Sequence, residues 1–174
     1  MIKEKHEFAP VYNEKSKILI LGSFPSVKSR EEGFYYGHPM NRFWKVISTV
    51  LSVELPLTID QKKDMLLKHH IALWDVIEEC EISGSSDSSI KNVTVNDFTM
   101  ILKKSNISCI ITNGATAGKL YQKYAYPITG FKSITLPSTS PANAAWSLER
   151  LVGAYTIIKE YIKYQSADRS VKFL

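Results

Sequence analysis

The feature that most restricts this chain is a set of short apolar runs, each cut off by a turn residue. Residues 17–21 (KILIL) stop at Gly22 and Pro25, 71–74 (IALW) at Asp75, 108–112 (SCIIT) at Asn113-Gly114, and 133–136 (SITL) at Pro137. Runs this short fit strands, and a strand that is apolar on both faces belongs in a parallel sheet covered by helices. The stretches between them have helical spacing. Residues 41–53 put Phe43, Val46, Ile47, Val50 and Leu51 on one stripe, with Pro39 just ahead and Asn41 placed to cap the first turn. Further helices are expected over 60–70, with Met65 and Leu66 inward, and over 96–104, 115–124 and 148–164. The stretches 22–38 and 83–89 read as loops, and the chain after 165 as a frayed tail.

Alternating strands and helices predict an α/β chain: a three-layer α/β/α sandwich around a four-stranded, mainly parallel central sheet. The loops after the four strands then gather at one edge, where open sheets of this kind bind ligands. A length of 174 residues fits a single domain, with its core over about 17–164. The net charge of +5 is compatible with a polyanionic partner and equally with a solubilising surface. Cys80 and Cys109 are the only cysteines and are not at metal-ligand spacing, so neither a disulfide framework, a metal site nor a cofactor is expected. The opening MIKEKHEFAP has no apolar signal segment, and no stretch is long enough to span a bilayer. The expectation is an intracellular, cytoplasmic protein with no obligate protein partner.

The loop motifs exclude several chemistries. The first strand is not followed by a dinucleotide fingerprint, and the chain has no phosphate-loop GK[ST] and no G-x-S-x-G elbow. What it does have is GSFPS running on to GFYYGHPMNRFWKVIS, and LPSTSPANA near the end. The first stretch resembles the opening motif of the uracil-DNA glycosylase superfamily. GFYYGHPMNRFWKVI is similar to the mismatch-specific uracil/thymine glycosylases. GSFPS with the following SR, together with LPSTSPANA, resembles the hypoxanthine-DNA glycosylase branch. The likeness runs from 18 to about 161.

That resemblance implies a monofunctional enzyme that flips a deaminated base out of DNA and hydrolyses its glycosidic bond, with hypoxanthine as the favoured base. Uracil or mismatch-specific uracil/thymine removal is the alternative, and a non-catalytic nucleic-acid-binding module a further one. Where the mismatch-specific enzymes have a water-orienting Asn, this chain has Phe24, which makes no conventional hydrogen bond. The resemblance therefore moves catalysis to Asn41, which can also be simply a helix cap. Phe24 and Tyr36 become the aromatics enclosing the base, although either can pack in the core. Asp75 falls where the superfamily reads the base edge, and as a carboxylate it would accept the ring N–H of hypoxanthine or uracil; it can also serve as a helix cap. Asn113 and His38 are further pocket residues, each with a structural alternative. Ser23, Ser26, Ser138, Thr139 and Ser140 are the expected phosphate contacts. Related enzymes follow the serine turn with an apolar wedge. Here residues 142–145 offer only alanines and Asn143, which is placed with the DNA contacts.

Overall fold

The computed structural model describes residues 2–167, and the tail expected to fray lies, from 168 on, outside the described residues. In chain order the elements are β1 (Ile2–Lys5), β2 (Ile18–Gly22), α1 (Val27–Glu32), α2 (Phe43–Leu51), α3 (Ile59–Lys68), β3 (Ile71–Asp75), β4 (Ile77–Ile82), β5 (Lys91–Val95), α4 (Thr99–Lys104), β6 (Cys109–Asn113), α5 (Ala115–Leu120), α6 (Tyr126–Thr129), β7 (Ser133–Leu136), α7 (Leu148–Tyr155) and α8 (Ile157–Ala167).

The four apolar runs are the central sheet, in the order β3-β2-β6-β7, and every pairing is parallel. Alternation along β2 splits the core in two. Ile18 and Ile20 face a cluster with Phe43, Val46, Ile47, Leu151, Tyr155 and Ile158 from the helices of one layer. Leu19 and Leu21 face Phe98, Ile101 and Tyr121 on the other side. Each of these aliphatic side chains is almost fully removed from water, which stabilises by about 1.5–3 kcal/mol apiece. The expected three-layer architecture is therefore present, with all four strand ends on one edge.

Other features depart from the expectation. A second sheet, β1-β4-β5, is antiparallel and was not anticipated. The chain passes from β3 into β4 across Val76, where buried Asn96 donates to the carbonyls of Asp75 and Ile77. The loop after β2 contains the helix α1, capped by Ser26, whose Oγ accepts the Ser29 N–H. The helix expected over 115–124 becomes α5, a π-helical turn at Tyr121–Ala125 and then α6. Pro127, within α6, has no N–H to continue a regular ladder. The long last helix is divided at Thr156.

Candidate active site

The segments following β2, β3, β6 and β7 enclose a cleft of about 990 Å³ with Asp75, Asn113 and Asn41 among its walls. Ligand sites of roughly 300–1,000 Å³ hold molecules well beyond the size of an ion, so a nucleotide fits here. Two glycines let the walls close in. A Cβ on Gly22 would stand 2.4 Å from Asp75 Oδ1. Gly114 has φ +99°, and a Cβ there would meet the Ser138 Cβ at 3.0 Å.

Asn41 sits just ahead of α2. Its Oδ1 accepts the Phe43 N–H at 2.9 Å and the Thr139 hydroxyl at 2.9 Å. A backbone N–H can only donate, so the amide orientation is fixed: the oxygen is committed to the protein, and Nδ2 faces the cleft without a partner among the described residues. Behind it lies a buried relay. Asn113 Nδ2 donates to Thr139 Oγ1 at 3.0 Å, while Asn113 Oδ1 accepts the Thr139 N–H at 3.0 Å and lies 2.9 Å from the Tyr155 hydroxyl. Asn113 thus borders the cleft while its bonds hold the scaffold. Thr139, expected at a phosphate, is instead 0% exposed, because its hydroxyl links the two asparagines.

Asp75 ends β3 with 4% exposure. Its Oδ2 accepts from His6 Nε2 at 2.8 Å, and both side chains are nearly dry. Oδ1 has no hydrogen-bond partner among the described residues. Tyr36 approaches the same spot: its hydroxyl would lie 3.0 Å from a Gly22 Cβ. Its backbone has φ +54°, and its ring stacks on Phe43 with centroids 4.1 Å apart. The Tyr36 hydroxyl is buried without a hydrogen-bond partner, with Asn113 close by. Burial, and then the Asp75 charge, push this phenol well above its ordinary range, so it stays protonated. Phe24, 8% exposed, belongs largely to the core, with the Arg30 guanidinium 5.4 Å from its ring centroid.

The rim carries the remaining groups. Ser26 caps α1, and the Ser23 Oγ donates to Asp87 Oδ1 at 3.0 Å, so both hydroxyls are engaged internally. Asp87 is exposed as a residue, yet desolvation of its carboxyl against this rim raises its pKa; the Ser23 bond opposes that shift, and the Asp75 charge adds to it. Exposed His38 accepts the Met40 N–H on Nδ1 at 3.1 Å, which leaves Nε2 as the outward donor. In the last turn, Ser138 Oγ accepts the Ser140 N–H and Ser140 Oγ accepts the Ala142 N–H, so both hydroxyl protons are available to a phosphate. Asn143 folds back, with its Nδ2 donating to the Ser138 carbonyl at 3.0 Å.

Three residues that build the site were missed at the sequence level. The Arg42 guanidinium donates to the carbonyls of Ser140 and Asn143 at 3.0 Å each and to that of Trp146, and so gathers the turn around itself. Its place beside Asn41 was the available signal. His6, 69 positions from Asp75, and Asp87, inside a serine run, gave none. Among the described residues, no group of three or more His, Cys, Asp or Glu side chains gathers to hold a metal ion.

Comparison with known proteins fits this geometry. A hypoxanthine DNA glycosylase of Methanosarcina acetivorans is 36% identical over 148 residues, 84% of this chain and 92% of its own length. One of Methanosarcina barkeri is 32% identical over 142 residues, 80% of this chain and 89% of its own. The solution NMR structure of a candidate uracil DNA glycosylase from Methanosarcina acetivorans superposes with a TM-score of 0.75 at 29% identity, covering 91% of this chain and 99% of that one. The family profile of the uracil DNA glycosylase superfamily matches residues 9–159, and the chain belongs to that superfamily.

Proposed function

We propose that this protein, residues 1–174 as one domain, is a monofunctional DNA glycosylase that releases a deaminated base, hypoxanthine first, and leaves an abasic site. The observation that carries the reading is Asp75, with one oxygen bound by His6 and the other unpartnered beside a nucleotide-sized cleft. A carboxylate only accepts hydrogen bonds, so it favours the N1–H of hypoxanthine and opposes the ring-nitrogen acceptor of adenine. Uracil N3–H would satisfy the same oxygen. The two relatives named hypoxanthine DNA glycosylase support the purine.

In this reading water adds to the anomeric carbon, the glycosidic C–N bond breaks, and the base leaves with a proton. Asn41 holds the water through Nδ2–H, since its oxygen is engaged. An amide is a poor base, so positioning and stabilisation of charge on the sugar and the departing base supply most of the rate. Phe24 and the Tyr36 face away from Phe43 enclose the base. Ser138 and Ser140 take the phosphates, and His38 Nε2 donates to a phosphate or the leaving base. Among the described residues no lysine lines the cleft, so this reading has no Schiff base and leaves the strand uncut. Action on cellular DNA implies an intracellular location, and no described helix is long and apolar enough to cross a membrane.

The test uses oligonucleotides carrying deoxyinosine, uracil, xanthine or a G·T mismatch, with products resolved before and after alkali. Deoxyinosine should react fastest, with strand breaks only after alkali. Faster uracil release moves the protein to the uracil branch. DNA binding without release of any base makes it a binding module.

A further inference from the structure

The cleft explains where an extruded nucleotide goes but not what fills the space it leaves in the duplex. We propose that Met40 enters the base stack in its place. This rests on the glycosylase reading above. Met40 is 65% exposed although methionine is ordinarily a core residue, and it stands between His38 and Asn41, which both border the cleft.

Its presentation is rigid. The Asn41 N–H donates to the His38 carbonyl at 2.9 Å, and the Met40 N–H donates to His38 Nδ1 at 3.1 Å. Pro39 restricts the backbone between them. Asn41 is pinned in turn by the Thr139 hydroxyl, and Arg42 by the carbonyls of Ser140, Asn143 and Trp146. The segment that carries Met40 is therefore tied to the serine turn through Asn41 and Arg42, whose N–H also donates to the Thr139 carbonyl at 3.1 Å.

The serine turn offers only shorter or engaged side chains, its exposed Pro141 being a compact ring without methionine's reach. Ala142, Ala144 and Ala145 are too short to reach into a stack, and the Asn143 amide is bonded back to Ser138. The Trp146 ring is covered by the Arg150 guanidinium at 4.1 Å and packs against the core. Methionine has the right shape and chemistry for a wedge. It is unbranched, polarisable and adaptable, and so can slide between base pairs and make dispersion contacts with both. Its energetic role is to fill the gap and slow the return of the flipped base.

The test compares single-turnover release of hypoxanthine from a duplex and from the same strand alone, for the parent, Met40→Ala and Met40→Leu. Only the duplex has a stack to be held open. The duplex-to-single-strand rate ratio should fall about tenfold in Met40→Ala, and Met40→Leu should restore most of it. Fluorescence of 2-aminopurine beside the deoxyinosine should rise on binding the parent and rise less with Met40→Ala. An unchanged ratio with unchanged fluorescence overturns the proposal and leaves the side chain to a protein contact. Equal losses on both substrates also overturn it. A parent that releases no base from either substrate removes the glycosylase reading, and this inference with it.

Discussion

Asn41 is the position where structure and chemistry compete most directly, and its two functional atoms can be separated by substitution. The oxygen accepts the Phe43 N–H at the start of α2 and the hydroxyl of fully buried Thr139. The N-cap position is Arg42, which makes no side-chain cap bond, so the Asn41–Phe43 contact counts as one side-chain-to-backbone bond worth about 1 kcal/mol. Stranding a buried hydroxyl costs a further ~1–3 kcal/mol. For a domain of this size the loss amounts to a fall in Tm of about 5–15 °C for Asn41→Ala. Asn41→Asp keeps an oxygen in the same place and adds negative charge near a helix N-terminus, so its Tm should stay within about 3 °C of the parent. It removes the Nδ2–H donors, however, and single-turnover base release should fall roughly 10²-fold. Thermal melts by circular dichroism and release rates at saturating enzyme measure the two effects. An Asn41→Ala protein that melts with the parent would show that the two oxygen bonds contribute nothing. An Asn41→Asp protein with the parent's rate would remove Nδ2 from the mechanism.

Two other substitutions probe the surroundings. Arg42→Lys should lower Tm and weaken binding to undamaged DNA several-fold, because one ammonium cannot span the carbonyls of Ser140, Asn143 and Trp146 that the guanidinium fork reaches; unchanged melting and binding would dismiss the clamp. Desolvation holds the Asp87 carboxyl above its ordinary 3.8, so the folded chain binds that proton more tightly than the unfolded chain does. The resulting stability is fully present below about pH 4 and is lost as pH rises through the raised folded value. Asp87→Asn should therefore melt above the parent at neutral pH, with the gain shrinking towards pH 4; a gain independent of pH would count against the desolvated carboxyl.

The central sheet was legible because each of its strands is one contiguous apolar run whose alternate residues serve opposite layers, as Ile18 and Leu19 do. The antiparallel sheet was not. Its strands read IKEK, IEECEI and KNVTV, each with charged residues that break any apolar run, even in the central β4. Their register comes from partners remote in sequence, such as Ile2 against Ile82, so no local pattern announces them. The helix α1 is only six residues long, too short to show a period. The breaks at Tyr121–Ala125 and Thr156 lie within stretches whose apolar spacing continues through them.

For the site, sequence supplied the residue types but not how their atoms are divided between scaffold and substrate. Asn41, Asn113, Thr139 and Asp75 all converge on the cleft, yet most of their polar atoms bind one another, Tyr155 or His6. What remains unpartnered among the described residues includes Asn41 Nδ2, Asp75 Oδ1, the Tyr36 hydroxyl, His38 Nε2 and the hydroxyl protons of Ser138 and Ser140. Under the proposed function, that remainder would match the polarity of a nucleotide: donors for the phosphates at the serine turn, a donor for the sugar side, and one acceptor for the base. Adenine presents an acceptor at that last position and would face the carboxylate with like polarity, whereas a lactam edge presents N–H. Under the proposed function, selection for a deaminated base rests on one oxygen of Asp75, while His6, from the segment after β1, holds the other.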